Sequence, residues 1–314
     1  MESSICKLID SSVFAASSAL IMWAWFYNPA QLPRAYRKWI STAAAVDARL
    51  IEALRRCRAG TLRYGADTGP AGRVLQGLCA ERGWPAAWGD PAVSVPFPCE
   101  LVHMGAGGAS CERHALSRFA RSFRWALATQ LPLSLLLVLV FGGARGAPPR
   151  RRRRPLARAL LAASASAARS STFLASFIAL FYYGVCLART RVGPRILAPK
   201  PTLTTTTTVA AEKAKARAAQ AQRIDSGLCV ATGCLLCGWS VLLERGGSRV
   251  ANLALFVAPR ALGTLLPRRY PAALQRRETL AFAFAAAVVL PAAQEDPARV
   301  RGVLGRVLAG VLRA

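Results

Sequence analysis

Four side chains of the types that bind metal ions lie close together between residues 99 and 114. They are Cys99, His103, Cys111 and His114, spaced as Cys-x3-His-x7-Cys-x2-His. Thiolate sulfur and imidazole nitrogen are preferred ligands of zinc, which usually takes four of them. The spacing matches no standard zinc finger, so a zinc site, a disulfide between Cys99 and Cys111, and free structural side chains all stay open. We therefore expect no obligatory cofactor and keep zinc as the alternative.

Elsewhere the sequence offers few groups for catalysis. The chain has two histidines, both in this segment, and no apolar run contains an acidic residue. Because general acid–base catalysis needs such groups, we expect that the protein is not an enzyme and has no catalytic residues. Cys234 and Cys237 are spaced as Cys-x-x-Cys, but they lie inside an apolar run, where a buried hydrophobic role is expected.

Arg260 is the sharpest functional candidate, because it follows Pro259 in the middle of an apolar run. An arginine is costly in hydrocarbon, so Arg260 must face protein, water or lipid headgroups. It could line a polar path or bind an anion. Snorkelling, or a salt bridge to Glu244 or Glu278, explains it equally well.

Composition indicates a membrane protein. Hydrophobic residues make up 54% of the 314 residues, and the mean hydropathy is +0.30. The net charge of +27 favours a polyanionic partner, either nucleic acid or an anionic membrane face. The apolar runs decide for membrane lipids and against nucleic acid, since no soluble module interleaves basic and aromatic residues. Membrane protein partners or self-association are also compatible with this composition.

The hydropathy pattern predicts an all-α, multi-pass transmembrane helical bundle of about five helices with a soluble, cysteine-containing loop region. The first half of the chain divides into a first transmembrane helix within 1–33, a soluble region at 34–124 with a Cys/His-rich segment at 96–119, and a second transmembrane helix at 125–144. A basic linker at 145–169 follows. The rest comprises a helical membrane unit at 170–297, with a linker at 189–225, and an amphipathic tail at 298–314.

A helical hairpin is expected within the membrane unit. Two apolar runs are joined by a charged turn that is too short for anything but a tight connection, and its polar residues are Glu244, Arg245 and Arg249. The first run carries small residues on one helical face, where another helix could approach closely: Gly227, Ala231, Cys234 and Gly238.

Five consecutive arginines follow the second predicted span: Arg150, Arg151, Arg152, Arg153 and Arg154. Between membrane spans, such a block is expected to contact anionic lipid headgroups. Basic linkers lie on both sides of the third predicted span, so the charge pattern does not predict sidedness.

Three stretches of the chain resemble the transmembrane protein 135 family. CELVHMGAGGASCERHALSRF resembles its cysteine-rich N-terminal region, where a Cys, a His and a Ser-Cys pair precede a membrane helix. SSTFLASFIALFYYGVCLARTRVGPRI and LERGGSRVANLALFVAPRAL resemble the later membrane part of its fungal members. That family is distantly similar to the Tim17/Tim22/Tim23 group, four membrane helices packed through glycines, for which Gly227, Gly233 and Gly238 are the counterparts here.

The resemblance implies a multi-pass protein of mitochondria or peroxisomes with a role in membrane dynamics or lipid handling, and it supplies no catalytic residues. Two alternatives stay beside it. One is a transporter or pore that uses Arg260, and the other is a membrane scaffold whose basic segments recruit lipids or partners.

Overall fold

The computed structural model describes residues 2–141, 156–197, 209–244, 247–266 and 272–295. These residues form helices and turns, and no β-strand occurs among them. Four helical stretches are long and apolar enough to cross a membrane: Lys7–Tyr27, Cys111–Val140, Leu156–Ile196 and Ala211–Leu243. The predicted all-α, multi-pass helical architecture is therefore confirmed.

The α-helices of this part of the chain are α1 (Glu2–Tyr27), α2 (Arg34–Ala44), α3 (Ala48–Ala59), α4 (Gln76–Arg82), α5 (Cys99–Val102), α6 (Cys111–Phe141), α7 (Leu156–Leu187), α8 (Gly193–Ile196), α9 (Val209–Arg223), α10 (Cys229–Cys237), α11 (Gly247–Gly263) and α12 (Ala272–Glu295). Two π-helical turns, Ala188–Val192 and Ile224–Leu228, adjoin α7 and α10, and a 3-10 helix, Gly238–Leu243, continues α10.

The chain forms two compact units, Met1–Thr264 and Leu265–Ala314. The second contains α12, where a short last span was expected. This helix carries Arg276, Arg277 and Glu278 at its start, and it is not among the four stretches that meet the length and hydropathy of a span.

Helices α1, α7, α10 and α11 pack together in the first unit. Phe14 lies against Phe173 and Phe26 against Phe181, with ring centroids 5.8 and 5.6 Å apart, so α1 and α7 run in the same direction. The opposite direction of α10 follows from two contacts, since Gly238 faces Ala15 of α1 and Gly227 faces Trp23 further along α1.

Glycine allows the closest approach between α7 and α10. A Cβ atom on Gly184 would lie 2.8 Å from the Cα atom of Gly233, which is closer than non-bonded atoms can stand. Gly238 is packed as tightly, since its Cβ would lie 2.5 Å from Ala15 Cα. These contacts bring helix backbones together without side chains between them, as expected for packing in a membrane.

The expected stripe of small residues is only partly one helical face. Cys234 is buried and Gly238 packs on α1, and Ala231 is half-buried on the same helix. Gly227 departs from helical geometry, with φ 155° and ψ −25° inside the π-turn. The helix bends there, because a backbone of this shape breaks the regular ladder of hydrogen bonds.

Residues 34–110, within the region expected to be a soluble loop, form a folded cap. Its helix α3 begins at the N-cap Asp47 and ends at Gly60 in the left-handed conformation. Around it lies a core of fully buried leucines: Leu62, Leu75, Leu78 and Leu101. We call residues 34–110 the cap below.

The second span begins earlier than predicted. Helix α6 starts at Cys111 instead of residue 125, and its first turns carry His114 and Arg118 into the protein interior. Helix α7 starts at Leu156, so most of the second half of the predicted basic linker is helical. Arg150, Arg151, Arg152, Arg153 and Arg154, Arg245 of the hairpin turn and the predicted tail at 298–314 lie outside the described residues.

Candidate functional site

An apolar cavity of about 330 Å³ lies among α1, α2, α7 and α11. Its wall is almost entirely hydrophobic and includes Phe14, Ile21, Met22, Tyr36, Trp39, Phe173, Phe177, Leu253 and Val257. We call it the inner pocket. The end of α2 is held beside the end of α1, since the indole nitrogen of Trp25 donates a hydrogen bond to Ser41 Oγ at 3.1 Å.

A larger and more polar cleft of about 710 Å³ adjoins the inner pocket. The two share Trp39, Phe173, Leu174, Leu253 and Phe256. Polar side chains from four segments line the rest of this outer cleft: Gln130 and Ser134 of α6, Ser166 and Ser170 of α7, Glu244, and Arg249 and Asn252 of α11. Together they form one groove with an apolar interior and a polar rim.

Glu244 and Arg249 form the charged part of the rim. Arg249 Nη1 lies 3.6 Å from Glu244 Oε2, and Arg249 Nη2 donates a hydrogen bond to Ser166 Oγ at 3.0 Å. The Glu244 side chain is only 4% exposed, and its Oε2 atom makes no hydrogen bond within the described structure. The Arg249 side chain is 49% exposed and keeps donors free for another group.

Arg260 lies outside this groove. Its Nη1 atom donates a hydrogen bond to the Phe256 carbonyl at 2.6 Å, and its guanidinium carbon is 3.7 Å from the centre of the Phe256 ring. The side chain is therefore satisfied one turn back on its own helix. Glu244, one of the partners considered for it, lies next to Arg249 instead.

The Cys/His segment brings together three of its four candidate ligands. The ligand atoms of Cys99, His103 and Cys111 lie within 4.8 Å of one another. His114 takes a different position: its ring stacks on that of His103, with centroids 4.2 Å apart and planes at 9°, and its Nδ1 atom bonds the Ala106 carbonyl at 2.9 Å. Both cysteines carry free thiols.

A third sulfur, from Cys186, lies beside this cluster. The Nε2 atom of His103 is 3.2 Å from Sγ of Cys186, a residue of α7 that was assigned to the apolar part of a span. Burial lowers the pKa of His103 and raises the pKa of the Cys99 thiol, because both charged forms lose hydration in this interior.

A buried ion pair joins the cap to the membrane helices, and it was not predicted. Arg189 contacts both carboxylate oxygens of Asp225, with Nε 2.8 Å from Oδ1 and Nη2 3.0 Å from Oδ2, and Nη2 also bonds the Phe97 carbonyl. Tyr64 of the cap donates its hydroxyl to Asp225 Oδ2 at 2.5 Å. Burial, reinforced by the Asp225 carboxylate, raises the pKa of Tyr64 and keeps this donor protonated.

The sequence placed Arg189 and Asp225 at the two ends of an exposed connector. The structure buries both, with side chains 6% and 1% exposed. The sequence carries only a weak signal for this ion pair. Asp225 precedes one apolar run and Arg189 follows another, and the two residues are 36 positions apart. Nothing in such a pattern identifies the pair before the helices are packed.

No family model, curated protein or solved structure matches the chain. The assignment of residues to a site therefore rests on the geometry given above.

Proposed function

We propose that this protein is a non-enzymatic integral membrane protein that binds an anionic phospholipid in the groove formed by the inner pocket and the outer cleft. The observation that carries the proposal is the continuity of an apolar, aromatic cavity with a polar rim that includes Arg249. Such a groove matches a ligand with a long apolar part and a charged head. We further propose residence in a mitochondrial or peroxisomal membrane and a role in lipid handling or membrane dynamics, which the resemblance to the transmembrane protein 135 family supports.

The inner pocket suits an acyl chain. Its volume of about 330 Å³ lies at the lower end of the range of small-molecule sites, about 300–1,000 Å³. An acyl chain that enters the pocket buries its apolar surface against the aromatic wall, which supplies dispersion contacts. No polar ligand would find enough partners in that cavity, because its lining is almost wholly hydrophobic.

The rim suits a phosphate group. Arg249 carries a guanidinium group, whose planar set of donors matches phosphate oxygens. Ser170, Asn252 and Gln130 line the same cleft and can donate further hydrogen bonds. The five arginines at 150–154 lie in the segment between α6 and α7, two of the helices that line the cleft, and the net charge of +27 favours an anionic lipid.

The test measures binding of fluorescent phosphatidylglycerol to the full chain purified in detergent. Leu253→Trp should reduce binding by filling the inner pocket. Arg249→Gln should weaken binding about 10- to 150-fold, since one hydrogen bond to a charged group contributes about 1.5–3 kcal/mol. Diacylglycerol lacks the phosphate, and its binding should respond to Leu253→Trp and not to Arg249→Gln.

Two matched variants serve as controls. Arg191→Gln removes a half-exposed arginine that does not line the groove, and Leu235→Trp adds the same bulk on an exposed face of α10. Both should bind phosphatidylglycerol like the unmodified chain. Equal binding by Leu253→Trp and Leu235→Trp would refute the groove as the lipid site. Loss of solute flux on Arg260→Gln in liposomes would instead favour the transporter that uses Arg260.

A further inference from the structure

The Cys/His cluster is built by three separate elements of the first unit. Cys99 begins α5, His103 directly follows that helix, and Cys111 begins α6. Cys186 comes from the last turn of α7, at a separation of 83 residues from His103. Its thiol lies 3.2 Å from His103 Nε2 and also interacts with the Cys111 thiol. Cys186 therefore adds a third sulfur to the cluster on the side of His103 and Cys111.

The hydrogen bonds of His103 direct its free lone pair at the sulfurs. Its Nδ1 atom is 2.7 Å from the Gly108 carbonyl, which can only accept, so Nδ1 carries the proton. Nε2 is then the unprotonated nitrogen, and it points at Cys186. Histidines that bind a metal commonly hold their second nitrogen in this way on a backbone carbonyl.

We propose that Cys99, His103, Cys111 and Cys186 form a structural zinc site that fastens the cap to α6 and α7. Tetrahedral zinc with sulfur at about 2.3 Å and nitrogen at about 2.0–2.1 Å places its ligand atoms roughly 3.3–3.8 Å apart. The distance of 3.2 Å between His103 Nε2 and Cys186 Sγ is close to the lower end of this range, and the ligand atoms of Cys99, His103 and Cys111 lie within 4.8 Å of one another. Binding displaces the three thiol protons to solvent and leaves three thiolates and one neutral imidazole on the ion.

His114 is not a ligand in this proposal. Its Nδ1 atom is engaged by Ala106, and its ring covers one face of the His103 ring. Tyr182 packs edge-on against the other side of His114, with centroids 5.2 Å apart. His114 therefore holds the His103 ring in position. Four protein ligands leave no open position, which is typical of structural zinc sites and not of catalytic ones.

The test is metal analysis of the full chain purified in detergent without chelator. We expect about one zinc per chain in the unmodified protein. Cys186→Ala should lose it, whereas His114→Gln should retain it. Cys79→Ala removes a buried thiol from the cap outside the cluster and should also retain the zinc.

A rescue variant separates loss of a ligand from loss of the fold. Cys186→His restores a ligand, so it should retain zinc, and cobalt substituted into it should lose about one third of the sulfur-to-cobalt charge-transfer intensity. The proposal is overturned if the unmodified chain takes up no zinc when zinc is supplied, if peptide mapping finds a disulfide between Cys99 and Cys111, or if Cys186→His gives the same cobalt spectrum as the unmodified chain.

Discussion

The buried carboxylates at the two ends of the helical bundle differ in how completely they are hydrogen-bonded. At the cap end, Asp225 receives two hydrogen bonds from Arg189 and a third from Tyr64, and both charged side chains are shielded from outside. At the groove end, Glu244 is also buried, yet among the described residues its ion-pair partner is Arg249 at 3.6 Å, and its Oε2 atom makes no hydrogen bond. The first arrangement is complete within the protein, and the second leaves capacity for another molecule.

This difference identifies the role of each pair. A buried ion pair without its full set of hydrogen bonds is costly, so an incomplete pair persists where something outside the protein completes it or where solvent reaches it. The cap end joins two parts of the fold that are 161 residues apart at Tyr64 and Asp225. The groove end borders the cleft that we propose for lipid.

The largest effect is expected from breaking the complete pair on one side. Asp225→Asn leaves the buried Arg189 charge uncompensated, which costs about 3–5 kcal/mol. The apparent melting temperature in a matched detergent should fall on the order of 10 °C, as followed by a thiol-independent fluorescence assay. Replacing both partners, as Arg189→Met with Asp225→Leu, should cost less than Asp225→Asn alone, since no charge is then left buried.

Arg191 provides the matched control for this prediction. Arg191 lies two residues after Arg189 and pairs with Glu112. The side chains of Arg191 and Glu112 are both about half exposed. Exposed ion pairs contribute about 0–1 kcal/mol, so Arg191→Gln should change the melting temperature little. Equal losses for Asp225→Asn and Arg191→Gln would contradict the structural role of the Arg189 pair.

A smaller effect is expected at the phenol that completes the pair. Tyr64→Phe removes a hydrogen bond to a charged acceptor, worth about 1.5–3 kcal/mol. Tyr182→Phe removes one to a neutral acceptor, the Ala44 carbonyl at 2.7 Å, worth about 0.5–1.5 kcal/mol. Melting curves of the two variants should therefore place Tyr64→Phe below Tyr182→Phe, and the reverse order would mean that Asp225 does not depend on Tyr64.

Hydropathy was sufficient to predict most of the membrane helices, because runs of about 18–23 uncharged residues have few alternatives to spanning. The same rule did not predict the ion pair of Arg189 and Asp225 at the cap end. A charged residue predicts the end of a span, so the pattern places Arg189 and Asp225 at the two ends of a linker, although the helices continue past them as π-turns. Two charged residues that pair across a long separation produce no periodic pattern in the sequence.

The Cys/His cluster shows the same limit. Local spacing predicted Cys99, His103 and Cys111, which the structure places together. The fourth candidate from spacing, His114, stacks on His103, while Cys186 enters from another helix. A cysteine inside an apolar run is ordinarily a hydrophobic residue, so only the packing of α7 against the cap distinguishes Cys186 from Cys234. The core of the cap was missed for a related reason, since Leu75, Leu78 and Leu101 lie in helices too short to show a period.

The smallest effect is expected at the incomplete pair. Glu244→Gln keeps the size of the side chain and removes its charge. Among the described residues its ion-pair partner is Arg249, which is half exposed, so stability should change by less than about 1 kcal/mol. The melting temperature of Glu244→Gln, measured without added lipid, should thus stay close to that of the unmodified chain. A loss as large as that of Asp225→Asn would show that Glu244 and Arg249 form a structural pair after all. The groove would then lose its free charged group, and the lipid would have to be held by the neutral side chains of the rim.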